Sequence, residues 1–238
     1  MREKGAVVIS NATELKQHFD QLVRHDYLQQ YIDDTRPDQD ELWLAHQLIR
    51  DVEQQERTLA ISLAWGFVHA GVMIHDLVSL HNKEDDTLKK RRQLNVLAGD
   101  FYSARYYQSL ARVNAVDMVE LFGSTLQDIY ELKMTHYMDK SLTEDELLHR
   151  KTAIDALLLL RILGKEEEES YVERLHLYFL SKKITRLLKS EASDVDTTRL
   201  REKQQTCEEK LKQSIDTTRN DTLDQFLTDF FRLTEEDR

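Results

Sequence analysis

Turn-forming residues are scarce. The 238-residue chain has one proline (Pro37), six glycines and one cysteine (Cys207). Sheets need frequent turns, and turns draw on Gly and Pro. So little punctuation over this length excludes a multi-stranded fold and predicts long helices with short links. A lone cysteine excludes an intramolecular disulfide and a thiolate zinc site, and suits a cytoplasmic chain. Positive charge is outnumbered: 33 Lys and Arg stand against 44 Asp and Glu, a formal net charge of -11. Such a surface repels nucleic acid and anionic membranes, so no nucleic-acid partner is expected. Met1-Arg2-Glu3-Lys4 leads into only a short apolar run, Ala6 to Ile9, which does not read as a signal peptide. One long apolar segment exists, Leu59 to Leu80. It carries His69, His75 and Asp76, which are costly in lipid, so it reads as a buried core helix and no transmembrane segment is expected.

What is present is helical periodicity. Asn11 with Glu14 forms a capping-box pattern, and Leu15, Phe19, Leu22 and Val23 follow at helical spacing, predicting a helix to about Ile32. Pro37 suits the turn or first turn before a second helix bearing Leu42, Leu44, Ala45, Leu48, Ile49 and Val52. The third helix, Thr58 to about His81, is apolar on nearly every face and is predicted to be surrounded by protein. A fourth starts near Leu88. Asn114 is expected to cap a fifth that runs to about Met138. Thr143 with Glu146 predicts another capping box, and Gly164 the end of that helix. Glu166 to Ser190 gives one more helix. From Thr197 the chain is polar, with anchors such as Leu211, Leu223, Phe226, Leu227, Phe230 and Phe231. The expectation is a single all-α bundle, 1–238, of eight or nine helices with polar C-terminal helices over 197–238.

One constellation spans two of these helices. Met73-Ile74-His75-Asp76-Leu77-Val78 is followed by Lys89-Lys90-Arg91-Arg92, then by Val96-Leu97-Ala98-Gly99-Asp100-Phe101-Tyr102. Physically this sets an acid deep on a buried helix and a cationic run at the start of the next. A satisfied core acid and a solvated basic face would read the same way. The order I-H-D, R-R, V-L-A-G-D-F-Y-S-A closely resembles trans-isoprenyl diphosphate synthases, with Lys151-Thr152-Ala153 similar to their K-T motif. The resemblance covers roughly 59–164, and V-L-A-G-D is its most specific part. The stretch from Arg92 to Tyr107 looks particularly like the small subunits (component I) of heptaprenyl diphosphate synthases.

The departures from the catalytic pattern carry the functional expectation. The family's first aspartate-rich motif gives three carboxylates to magnesium, a cation that takes oxygen ligands. Here Asp76 holds the first position, but Leu77 and Leu80 hold the others, and no second D-D-x-x-D follows downstream. Prenyl transfer needs its diphosphate leaving group neutralised by metal and cationic side chains. The resemblance therefore implies a chain with no catalytic residues, no metal and no bound cofactor of its own. A larger catalytic subunit would carry Mg and the prenyl diphosphate, elongating farnesyl diphosphate with isopentenyl diphosphate for menaquinone side chains. In isolation, self-pairing into a homodimer stays open. By the same resemblance Arg91, Arg92 and Lys151 match diphosphate contacts, Lys151 more as a relic. Gly71 and Val72 match positions that limit product length, with close helix packing at Gly71 an equal alternative. The expected interface with the large subunit is Phe101, Tyr102, Tyr106, Tyr107, Met118 and Phe122.

Two rival classes remain. Glu146-x-x-His149 and Glu173-x-x-His176 are similar to the metal signature of ferritin-like di-metal bundles, although they fall on consecutive helices. His69, His75 and His81 lie six apart, about 240° around a helix, and cannot converge on one metal. The other rival is a helical scaffold or adaptor, for which the charged C-terminal third would bind a partner.

Overall fold

The computed structural model describes residues 9–78, 86–189, 197–215 and 221–236, with side chains described as far as Arg232. Among them there is no strand, and nine α-helices and one short 3-10 turn account for the fold. They fall into two compact units, 1–119 and 120–238, and the division lies within the helix Val116–Met138.

The first unit begins with α1 (Ala12–Val23). Asn11 Oδ1 accepts from the Glu14 backbone N–H, while Glu14 reaches back to the N–H of Ser10, so the expected cap is present one residue wider. The helix stops at Val23 rather than near Ile32. Arg24 turns extended, and His25 Nδ1 accepts from the Leu28 N–H, closing a 3-10 turn at Leu28–Gln30. Pro37 lies outside α2 (Gln39–Val52), because Asp38 is the N-cap and forms a full capping box with Glu41. These entries aim Leu15 and Phe19 of α1 at Leu42, Leu44 and Ile49 of α2, all fully buried.

α3 (Gln55–Asp76) is the helix with no polar side. Ile61, Ala64, Trp65, Phe67, Ala70 and Ile74 are all at or near zero exposure. Each large apolar side chain so buried contributes about 1.5–3 kcal/mol. α3 is long and apolar enough to cross a membrane, yet 78% of its apolar window is buried inside the protein. Ring stacking of Phe19 on Phe67 at 5.0 Å ties it to α1. Its polar groups are absorbed locally: Ser62 donates to the Thr58 carbonyl at 2.7 Å and lies 3.1 Å from His46 Nδ1.

α4 (Asp86–Arg112) runs along α3. Its end differs from the expectation, because Asn114 closes α4 instead of opening α5 (Val116–Met138). Asn114 sits in the left-handed region at φ 53, its N–H bonds to the Ala111 carbonyl, and the Ala115 N–H bonds to Leu110. This is a Schellman ending with Asn in the place usually held by Gly.

In the second unit, α6 (Glu144–Leu163) opens on the predicted Thr143/Glu146 capping box and ends at Gly164, φ 64. α7 (Glu169–Lys189) packs on α6 and on α8 (Thr197–Ser214). α9 (Thr222–Glu236) is amphipathic, and its Leu223 and Leu227 are fully buried. Tyr178 of α7 receives the rings of Phe226 and Phe230 at 5.7 and 5.5 Å. The C-terminal aromatics thus anchor on the chain's own core. A buried ion pair, Arg174–Asp224 at 3.2 Å, joins the same two helices.

Candidate functional site: the paired motifs of α3 and α4

The two halves of the sequence constellation meet side by side. A Cβ built on Gly99 would lie 2.3 Å from His75 Nε2, far inside any allowed contact. Gly99 therefore provides the seat for the His75 ring. One turn earlier on α3, Gly71 faces Tyr102, and a Cβ there would stand 3.4 Å from the Tyr102 Cβ and 3.8 Å from the Gly99 carbonyl. Two glycines, one on each helix, let the backbones approach closely. Asn95, nearly fully buried, donates to the Leu77 carbonyl at 3.3 Å and so satisfies the end of α3. Val72 is buried. The side of Gly71 is filled by Tyr102, which is the geometry of helix packing.

Asp76 is not deep in the core. It is the last residue of α3 and is exposed, and Leu77 beside it is 41% exposed. The helix runs out before Leu80 and His81, which lie outside the described residues. The basic run opens α4 and is engaged by the 24–38 segment. Arg91 pairs with Asp33, and the Lys90 ammonium lies 3.9 Å from the Tyr31 ring centre and 5.3 Å from that of Tyr27. Arg92 is half-buried at the same helix start.

Behind that segment lies an unforeseen polar cluster. Arg36 holds Asp34 through two bonds of 2.7 and 2.6 Å and reaches Asp20 at 3.0 Å, and Lys16 also reaches Asp20. Tyr102 sits beside them, and burial pushes its phenol up to about 12. A cavity of about 260 Å³ opens here, lined by Leu28, Ile32 and Asp34 on one side and Ala98, Phe101 and Tyr102 on the other. The D-T-R-P run around Arg36 was visible in the sequence only as a turn.

In the second unit, Lys151 is half-buried on α6, and Thr152 is fully buried, its hydroxyl donating to the Leu148 carbonyl. Burial, then the charges of Arg150 and Lys151, hold His136 below its ordinary range. The Glu-x-x-His pairs bring their histidines together, with His149 and His176 edge to face at 5.6 Å. Glu146, however, accepts from the Thr143 N–H and hydroxyl at 2.9 and 2.7 Å, so it caps α6 rather than facing the histidines. Among the described residues no group of three or more His, Cys, Asp or Glu could hold a metal.

The expected interface residues divide by burial. Tyr102, Tyr106, Met118 and Phe122 are buried in the free chain, Phe101 is half-buried, and Tyr107 is 49% exposed. Val96 and Leu97, at 41% and 57% exposed, share the outer side of α4 with Tyr107.

The fold is that of the isoprenyl diphosphate synthases. Geranyltranstransferase from Thermotoga maritima superposes with a TM-score of 0.58 at 15% identity, over 94% of this chain and 97% of that one. Geranylgeranyl pyrophosphate synthetase from the archaeon Geoglobus acetivorans gives 0.56 at 14%, over 92% and 94%. Within that fold the family is specific: the model of heptaprenyl diphosphate synthase (HEPPP synthase) subunit 1 matches residues 25–235, and the chain belongs to that family. Heptaprenyl diphosphate synthase component 1 from Geobacillus stearothermophilus is 31% identical over 103 residues. That match spans 43% of this chain and 46% of the relative, so just under half of the relative's length is covered.

Proposed function

We propose that this chain is the non-catalytic subunit of a two-chain heptaprenyl diphosphate synthase, acting in the cytoplasm in the supply of menaquinone side chains. The observation that carries the reading is the end of α3. The exposed Asp76 is followed by the apolar Leu77 where a catalytic relative would continue its carboxylate set. The cation that would steady a diphosphate there, Arg91, is paired with Asp33. Loss of the carboxylates removes the means of neutralising a leaving diphosphate. A larger partner would supply both aspartate-rich motifs, Mg and the substrates, farnesyl and isopentenyl diphosphate. This chain would stabilise the partner and help enclose the growing product.

The docking surface proposed for that partner is the outer side of α4, with Val96, Leu97 and Tyr107, because these apolar side chains remain in water in the free chain. The test is a prenyltransferase assay with labelled isopentenyl diphosphate, farnesyl diphosphate and Mg. It would be run on this chain alone, the large subunit alone and the mixture. Activity that appears or rises strongly only in the mixture, and that falls with Leu97→Glu and Tyr107→Glu as pairing is lost, is expected. Turnover by this chain alone would overturn the reading, as would a mixture no more active than the large subunit alone.

A further inference from the structure

The part of α5 in the second unit carries two apolar sides that differ in cover. Phe122, Thr125 and Ile129 fall within about 60° of one another at about 100° per residue, and all three are buried. About 120° further round stand Tyr130, Met134 and Tyr137, again within about 60°, with Met138 beside them. This second side is in water: Tyr130 is 37%, Met134 61%, Tyr137 67% and Met138 75% exposed. From Tyr130 to Met138 no residue of the helix is buried. Gly123 continues the same side, and a Cβ there would meet nothing within 4 Å. At about 200 Å² for each large side chain, the stripe leaves roughly 500 Å² of apolar surface in water. A contiguous patch of that size marks an interaction site.

The stripe has flanks of opposite charge, and their order selects the occupant. Glu120 and Glu131 lie along one flank and Lys133 along the other. Glu131 accepts from the Gln127 side-chain amide on its own helix at 3.1 Å. Residues two apart point about 200° from each other, so Glu131 and Lys133 do not meet within one chain. Two copies laid stripe to stripe and antiparallel would set acid against acid and base against base. Laid parallel, the acidic flank of each copy meets the basic flank of the other. Glu131 and the partner's Lys133 then differ in height by only two residues, about 3 Å. A two-fold axis along the helices makes that match twice. We infer that the stripe from Tyr130 to Met138 is where two copies of this chain pair, α5 beside α5 and parallel. The apolar area falls short of the about 800 Å² per partner of a standard interface, so the pairing is reversible and concentration-dependent. The stripe uses no residue of the paired motifs or of α4, so the inference stands apart from the subunit reading.

Sedimentation equilibrium of the purified full chain alone, from about 1 to 100 μM, tests this. A reversible monomer–dimer equilibrium is expected. Tyr137→Glu, at an exposed position, should weaken it by about tenfold or more with circular dichroism unchanged. Glu131→Lys and Lys133→Glu should each weaken it by about fivefold or more, because each sets like charges face to face twice. The double variant restores both matches and should pair as the original chain does. Loss in each single variant with recovery in the double variant is the mark of parallel pairing, since an antiparallel pair already has like charges opposed. A chain that stays monomeric to the highest concentration would overturn the inference, whatever else covers the stripe. So would a dimer indifferent to Tyr137→Glu, or a double variant no better paired than the single ones.

Discussion

Substituting Gly99 by Ala sets two known effects against each other. In a helix interior Ala is favoured over Gly by roughly 0.5–1 kcal/mol. The new Cβ would stand 2.3 Å from His75 Nε2 and 2.5 Å from Cε1, where an ordinary contact is more than an ångström longer. His75 is half-buried, so its ring must swing out or α3 and α4 must part. Overpacking of this kind costs about 1–3 kcal/mol. Gly99→Ala should therefore destabilise the chain by about 1 kcal/mol net. Removing the ring first reverses the sign, so Gly99→Ala in a His75→Ala background should be neutral or stabilising by about 0.5 kcal/mol. The coupling, about 1–3 kcal/mol, is read from urea midpoints of the four proteins at constant m-value. If Gly99→Ala shifts the midpoint equally in both backgrounds, His75 and Gly99 are not packed as described and the pairing of the motifs fails.

Asp224→Ala would leave Arg174, 3% exposed, as a buried charge whose remaining carboxylate among the described residues is Asp221 at 3.7 Å. A loss of about 3 kcal/mol is expected, whereas Arg174→Met with Asp224→Leu should cost little, and urea melts distinguish the two. His46 is held down to about 4 by burial. The folded chain therefore binds fewer protons there than the unfolded chain, and stability should drop as pH falls from 6.5 towards 4, by up to about 3 kcal/mol. His46→Gln should flatten that limb of the pH–stability curve, and an unchanged limb would count against a buried neutral imidazole. At Asn114, φ 53, Gly should be tolerated and Val should cost about 1–2 kcal/mol in thermal melts.

Local chemistry was legible in the sequence where it acts over three or four residues. The Thr143/Glu146 box, Gly164 and the all-round apolar character of α3 stand as read. Misreadings fell where a short signal has two outcomes. Asn114 suits an N-cap and a left-handed C-terminal position equally, and its dihedral decides. Asp76 looked buried because its helix is, but it is the last residue of that helix. Glu146 fits both a capping box and a Glu-x-x-His pair, and two bonds to Thr143 assign it to the first. The His75–Gly99 seat and the Arg36–Asp20 bond join residues 24 and 16 apart, a distance over which periodicity carries no information. The resemblance reaches the first of these, since it links I-H-D to V-L-A-G-D, and gives no sign of the second.

The all-round burial of α3 also bears on how the chain is made. Its covering along one side is α4, which is complete only at Arg112, some 36 residues after α3 ends at Asp76. On a ribosome adding about 5–20 residues per second, α3 emerges first and waits seconds for that cover. Throughout that interval the nascent chain displays a 22-residue helix with membrane-like hydropathy to whatever is nearby. Holding chaperones should therefore bind translation intermediates in which α3 has left the ribosome and α4 has not, and release them once α4 has emerged.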